Sequence, residues 1–152
     1  YLEKVMKQIA PNTTELAGAT IAAKLLEHAG SLKKLAGMPA STIQLLGAEK
    51  ALFRHIKTGA RCPKYGIIIN HPLVTAASKQ DKGKAARVLA DKLSIAARVD
   101  LFKGEYIADI LAKQIQEKMS QPRRKDRSGG AGRDKTDETK KDIINRTGKA
   151  RN

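Results

Sequence analysis

The sequence predicts an all-α fold: a compact helical domain, preceded by the end of a longer helix and followed by a disordered basic tail. Three observations carry this. Apolar residues recur at three- and four-residue spacing through several stretches, the period of a helix with one buried face. Only Ile67–Ile69 reads as extended, and that run, closed by Pro72, is too brief to support a sheet. After Met119 the composition changes. Residues 121–152 carry Arg123, Arg124, Lys125, Arg127 and a Gly129–Gly132 run, with almost nothing apolar before Ile143, as in disordered basic segments. A weak helix around Thr136–Arg146 is the one element the tail offers. The boundaries therefore read 1–10, 11–119 and 120–152.

Each element has its own signals. In 1–9, Leu2, Val5 or Met6, and Ile9 keep helical spacing, and Pro11 stops the helix. From the residues alone this is either a short amphipathic lead-in or the end of a coiled coil. A second helix is predicted from Asn12, with Glu15 in capping-box relation, through Leu16, Ala19, Ala23 and Leu26 to Ala29, where Gly30 can cap it. Its small residues (Ala17, Gly18, Ala19, Ala22, Ala23) let neighbouring helices approach closely. Ser31 caps a short helix, Leu32–Ala36, ended by Gly37 and followed by Pro39. Ser41–Lys57 reads as a third long helix, with Ser41 and Gln44 as its capping box and Gly59 as its stop. A loop over 60–66 contains Cys62, Pro63 and Gly66. Lys82–Val99 is amphipathic, with Ala86, Leu89, Leu93 and Ala96 inward. A last helix, Tyr106–Met119, puts Ile107, Ile110 or Leu111, and Ile115 on one face.

Charge narrows the function. With 30 Lys and Arg against 15 Asp and Glu, the net charge of +15 favours a polyanionic partner such as nucleic acid, a ribosome or an acidic membrane surface. No apolar run approaches the roughly 18–20 residues of a membrane span, and no signal peptide opens the chain, so no membrane partner is expected. The lone Cys62 rules out an internal disulfide and fits a reducing compartment. The reading is a soluble intracellular protein and, since it opens on Tyr1, a segment of a longer one. Three Tyr, two Phe and no Trp supply no paired stacking platform for single-stranded RNA. Recognition should instead rest on shape, charge and a protein partner.

Catalysis is disfavoured. Cys62 precedes a proline, and no third member accompanies it and His28, His55 or His71. One Cys and three His do not make a structural zinc site, and no phosphate-cradling glycine loop is present. No enzyme activity and no cofactor or metal are expected.

The sharper signal is Gly47–Lys57, GAEKALFRHIK. On a helix, Leu46, Leu52, Phe53 and Ile56 fall on one arc, which should face the core. Lys50, Arg54 and Lys57 form a basic stripe beside it, able to track consecutive phosphates, or simply a solvated charged face. Glu49 projects among the apolar positions and should be partnered by a cation or by backbone donors. Arg61 and Lys64 add charge at the same end. Lys33 and Lys34, and Lys82, Lys84 and Arg87, either extend this patch or solubilise helix surfaces. His28 and His71 read as packing or capping residues.

These residues also carry a resemblance. The run from His28 to Pro72, HAGSLKKLAGMPASTIQLLGAEKALFRHIKTGARCPKYGIIINHP, resembles the signature region of the Nop domain family. APN at Ala10–Asn12 and GKAARVLADKLSIAARVD at Gly83–Asp100 resemble its flanks, so the likeness covers about residues 1–119. The single-cysteine loop and the KYG–III–HP run resemble the archaeal branch more closely, and Ala60–Arg61–Cys62 is the one stretch that departs from the family pattern. The resemblance implies an all-α module recognising a box C/D guide RNA at its kink-turn, together with the ribosomal-type kink-turn-binding protein seated on it. It implies a scaffold that self-associates through its coiled coil, making 1–9 the exit of that coil. An N-terminal domain absent here would hold fibrillarin, the enzyme that 2′-O-methylates rRNA or tRNA. By matching positions, Gly47, Ala48, Glu49 and Lys50, with Ala51, Leu52, Phe53 and Arg54, would lie against RNA. Pro63–Lys64–Tyr65–Gly66 would approach the kink-turn. The physical reading of the charges, beside the resemblance, assigns Lys50, Arg54, Lys57, Arg61 and Lys64 phosphate or sugar contacts. Leu52 or Phe53 would pack on bases or on the partner protein, although their angles suit the core equally well. Arg98 and Asp100 would be structural, as a charge pair near a helix end. Localisation would be cytoplasmic in an archaeon and nucleolar in a eukaryote. The competing expectation is a non-specific basic RNA- or ribosome-associated protein whose tail supplies the affinity.

Overall fold

The computed structural model describes residues 1–121, and every regular element among them is helical. In chain order these are α1 (Leu2–Ile9), α2 (Pro11–Ala17), α3 (Ala19–Ala29), α4 (Leu32–Gly37), α5 (Ala40–Leu45) and α6 (Glu49–Thr58). A 3-10 turn (Ile67–Asn70), α7 (Pro72–Ala76), α8 (Lys82–Leu101) and α9 (Ala108–Ser120) follow. The all-α expectation holds. The tail expectations, disorder and a weak helix at 136–146, lie from residue 122 onward outside the described residues.

α8 is the axis of the core. Ala85, Ala86, Leu89, Ala90, Leu93, Ala96 and Ala97 are all buried, and α2, α4, α5, α7 and α9 pack around it. The predicted inward set is among them. Alanine at so many inward positions keeps the helix thin, so neighbours approach on several sides and supply larger residues, Leu35, Ile43 and Val74, from their own elements. Each fully buried Leu or Ile contributes about 1.5–3 kcal/mol over an exposed one. In α9 the inward residue is Leu111, with Ile115, while Ile110 faces solvent.

Two predicted long helices are each two helices. Asn12–Ala29 breaks at Gly18, with φ of 80°, and Ser41–Lys57 breaks around Gly47, with φ of 89°. Both have a positive φ, which glycine adopts without steric cost. Neither capping box forms. Ala10 is the N-cap of α2 and Pro39 that of α5, each without a side-chain cap bond. Ser31 does cap α4, its Oγ accepting from the Lys34 N–H at 3.2 Å, and Gly30 and Gly59 end α3 and α6 as predicted. The run Ile67–Ile69 is a 3-10 turn instead of extended chain, because it turns to bury Ile68 beneath α3, α7 and α8.

Asn12 is buried, and its partner is the Asp100 carboxylate on α8. Asp100 Oδ1 accepts from the Asn12 N–H (3.0 Å) and Nδ2 (2.8 Å), and Oδ2 from the Thr13 N–H (2.8 Å) and Oγ1 (2.7 Å). Asn12 Oδ1 in turn accepts from the Ile107 N–H at 2.7 Å. The free N–H groups that open α2 thus meet a full negative charge supplied by another helix. The expected Arg98–Asp100 pair does not form, because each residue serves a different helix end: Arg98 Nε donates to the Ala36 carbonyl of α4 at 3.1 Å.

His71 is the N-cap of α7 and ties it to α2, as a capping reading predicts. Nδ1 accepts from the Leu73 N–H at 3.2 Å, and Nε2–H donates to the Leu16 carbonyl at 2.8 Å. Nδ1 can accept only while the ring is neutral, whereas the Nε2–H bond survives protonation; burial outweighs that second bond and holds the pKa below the ordinary 6.5. A depressed pKa means the contribution is complete above 6.5 and is lost as pH falls through the folded value. Denaturant midpoints taken at about pH 7 and about pH 5 should therefore fall on acidification. The fall should be smaller in His71→Asn, which keeps a capping acceptor; an equal fall in the variant would remove His71 as its source.

Candidate nucleic-acid interface

Among the described residues, α6 is the one long helix with no buried residue, and it takes no share in the principal helix packings. Its placement is set by a crossing of two backbone segments. Gly66 N–H donates to the Gln44 carbonyl and Ile67 N–H to the Leu46 carbonyl, both at 2.8 Å. A Cβ on Gly66 would stand 2.0 Å from the Leu46 carbonyl oxygen, so only glycine permits this approach. Gly47, on the other side of the crossing, sits against the Ile67 side chain.

The turn at Gly47 resets the helical phase, and that corrects the apolar arc. Leu46 is buried, but as the residue that ends α5. Leu52 and His55 are half-buried and form the inner side of α6. Ile56, expected in the core, is 69% exposed, and Phe53, for which core and partner contact were both open, is 64% exposed. They are neighbours one turn apart, flanked by exposed Lys50, Arg54 and Lys57. The outer face of the helix therefore mixes an apolar pair with a cationic stripe.

Glu49 is exposed, and backbone donors partner it. The Gly47 N–H donates to its Oε1 at 2.8 Å, and His28 Nδ1 lies 3.8 Å from the same oxygen. The N–H groups of Gly47 and of Glu49 itself, with the nearby His28, hold its carboxyl below the usual carboxylate value. The pair joins the end of α3 to the start of α6. α4, bearing exposed Lys33 and Lys34, begins just beyond it.

The loop over 59–66 carries exposed Arg61 and Lys64 at the far end of α6. The His55 ring is hydrogen-bonded to the Ala60 carbonyl, and Gln44 Nε2 donates to the Lys64 carbonyl at 2.6 Å. Gly47, Glu49, Lys50, Leu52, Phe53, Arg54, Lys57, Arg61 and Lys64 thus lie on one helix and the turns at its two ends. Of the outer group, Lys84 is engaged elsewhere: its Nζ donates to the carbonyls of Met119 (3.2 Å) and Gln121, capping the end of α9. Arg87 is exposed on α8, a different helix from α6. Sequence reasoning missed Ile56 as a surface residue and Gln44 and His55 as loop anchors. The one signal that could have pointed to them was the pair of glycines, Gly47 and Gly59, bracketing α6. Cys62 is exposed, no group of three or more His, Cys, Asp or Glu able to hold a metal occurs among the described residues, and no described helix is long and apolar enough to cross a membrane.

Comparison with known proteins gives this surface a context. The family model described as Nop, snoRNA binding domain, fibrillarin, matches residues 1–121. An uncharacterized NOP5 family protein of Methanocaldococcus jannaschii is 54% identical over 125 residues, covering 82% of this chain and 30% of that protein. Nucleolar protein 56 of Homo sapiens is 45% identical over 123 residues, 79% of this chain and 21% of that one. Nucleolar protein 56 of Saccharomyces cerevisiae is 44% identical over 122 residues, 78% of this chain and 24% of that one. Among solved structures, the crystal structure of a fibrillarin/Nop5p complex matches with a TM-score of 0.62 and 46% identity, over 78% of this chain and 43% of that chain. The chain thus spans less than a third of the length of these curated relatives. Matched by the family model across every described residue, and sharing its helical fold with a solved relative, the chain belongs to the Nop family of snoRNA-binding domains.

Proposed function

We propose that this chain is the RNA- and protein-binding module of a box C/D ribonucleoprotein scaffold. It reads a kink-turn in the guide RNA together with the small ribosomal-type protein already bound there. The role is non-catalytic: the chain positions the guide so that fibrillarin, held by a part of the scaffold outside this sequence, methylates ribose 2′-hydroxyls of rRNA or tRNA. Self-association would run through a coiled coil continuing α1, on which Leu2 and Ile9 are each about half exposed. The site of action would be the cytoplasm in an archaeon and the nucleolus in a eukaryote.

The observation that carries this reading is the outer face of α6. A surface that bound RNA by charge alone would need Lys50, Arg54 and Lys57 but not Phe53 and Ile56 beside them. An exposed apolar pair within a cationic stripe suits a composite partner, with phosphates for the cations and a protein or base surface for the rings and methyls. The competing reading, a basic protein that binds any RNA, needs no such face.

A gel-shift titration against a kink-turn RNA, with and without its bound protein, separates the two. Much tighter binding to the assembled complex supports composite recognition. Equal, salt-sensitive binding to both, and to unrelated RNA, supports the basic carrier. In Lys50→Ala/Arg54→Ala, the plot of log affinity against log salt should become shallower by about 0.7–0.9 for each phosphate no longer neutralised. An unchanged slope would withdraw the stripe.

A further inference from the structure

We infer that Gln44 and His55 are positioning residues for the RNA-contacting loop, clamping residues 59–66 from two different helices so that Arg61 and Lys64 are presented in a fixed arrangement. The inference rests on the proposed function, which gives Arg61 and Lys64 a phosphate to meet. The loop forms neither helix nor strand, and both cationic side chains are exposed. Its ends are fixed by backbone, through the left-handed Gly59 after α6 and the crossing of Gly66 over Leu46. Between these ends the anchoring comes from side chains. His55 on α6 bonds the carbonyl of Ala60, the residue before Arg61. A carbonyl oxygen only accepts, so Nδ1 carries the proton in this contact. Gln44 on α5 donates from Nε2 to the carbonyl of Lys64 itself at 2.6 Å, while its own main-chain carbonyl accepts the Gly66 N–H at 2.8 Å.

Each loop cation is therefore tied, at its own carbonyl or the one before it, to a helix that does not carry it. Neither bond closes a helix or buries an apolar surface, and the regular fold does not require them. What they do is remove conformational freedom from the backbone that bears the charges. A cation on a mobile loop loses that freedom when it docks on a phosphate, whereas one already held loses less. Removing either anchor should weaken binding to the RNA–protein complex by about three- to tenfold, the effect of releasing one or two ordered groups.

The test uses the full chain, the kink-turn RNA carrying its bound protein, and two readouts: affinity by gel shift and tryptic cleavage after Arg61 by mass spectrometry. His55→Ala and Gln44→Ala should each weaken binding and speed cleavage after Arg61, with the thermal midpoint unchanged. His55→Asn, which restores a donor near the position of Nδ1, should recover most of both. In an Arg61→Ala/Lys64→Ala background the anchor substitutions should weaken binding no further, a coupling that a general loss of stability would not produce. Additive losses in that background would overturn the inference, because the anchors would then act through something other than the loop cations. Unchanged cleavage and affinity would overturn the clamp while leaving the α6 surface intact. Faster cleavage with unchanged affinity would also overturn the positioning role, and would place the fault in assigning this loop to RNA.

Discussion

Asp100→Ala should lower the unfolding free energy by about 3–5 kcal/mol in urea denaturation, the cost of removing a buried charge whose partners stay behind. Asp100 is 6% exposed and accepts four hydrogen bonds from Asn12 and Thr13, themselves 1% and 0% exposed. Alanine leaves two main-chain N–H groups, an amide and a hydroxyl facing a void too closed for easy hydration. Asp100→Asn should fail almost as badly, since an amide nitrogen turned toward either neighbour sets donor against donor. Because these bonds are the polar link between the start of α2 and the end of α8, the loss should appear as a lower midpoint of the whole transition. A loss below about 1 kcal/mol would mean that solvent reaches these donors and that the cluster is not a buried cap.

The second large effect is on binding and not on stability. Phe53→Ala/Ile56→Ala should bind the assembled RNA–protein complex about 30-fold or more weakly, the loss typical of truncating central interface anchors. Its unfolding free energy should stay within about 0.5 kcal/mol of the parent, because exposed apolar side chains contribute little to the fold and alanine is the better helix former. Had these residues faced the core, each truncation would cost about 2–5 kcal/mol. Urea unfolding and gel shift on the same variant therefore decide between the two placements. Stability lost with binding intact would return Phe53 and Ile56 to the interior.

That contrast shows what the sequence could and could not convey. The period of the apolar residues in 47–57 was legible, and so was the cationic stripe beside them. Periodicity gives the phase of an amphipathic face but not what covers it, and a face left exposed by the domain looks like a face reserved for its core. The breaks at Gly18 and Gly47 were hidden for a related reason. A glycine inside a helical pattern costs only about 1 kcal/mol relative to alanine, so local preference does not decide whether the helix runs through. At Gly47 the decision is made by the Leu46–Gly66 crossing, an approach between segments about twenty residues apart in the chain. Ile67–Ile69 shows the same dependence, since its β-branched residues favour extended chain until burial of Ile68 turns them. α8 was legible almost entirely, because a helix buried on several sides writes its apolar pattern over twenty residues. The capping roles of Asp100, Arg98 and Lys84 were not, since each serves a helix end remote in sequence.

The alanine-faced α8 separates two kinds of motion. The helices packed around it lean on one shared element, so none can leave without uncovering part of that element, and the core should melt in a single concerted step. α6 stands outside this dependency, held at its ends by glycine turns and a few polar ties. Opening it should therefore cost less than unfolding the core, which would stay intact. The domain thus divides into a hub whose helices stand or fall together and a peripheral helix whose rearrangement does not draw on the stability of that hub.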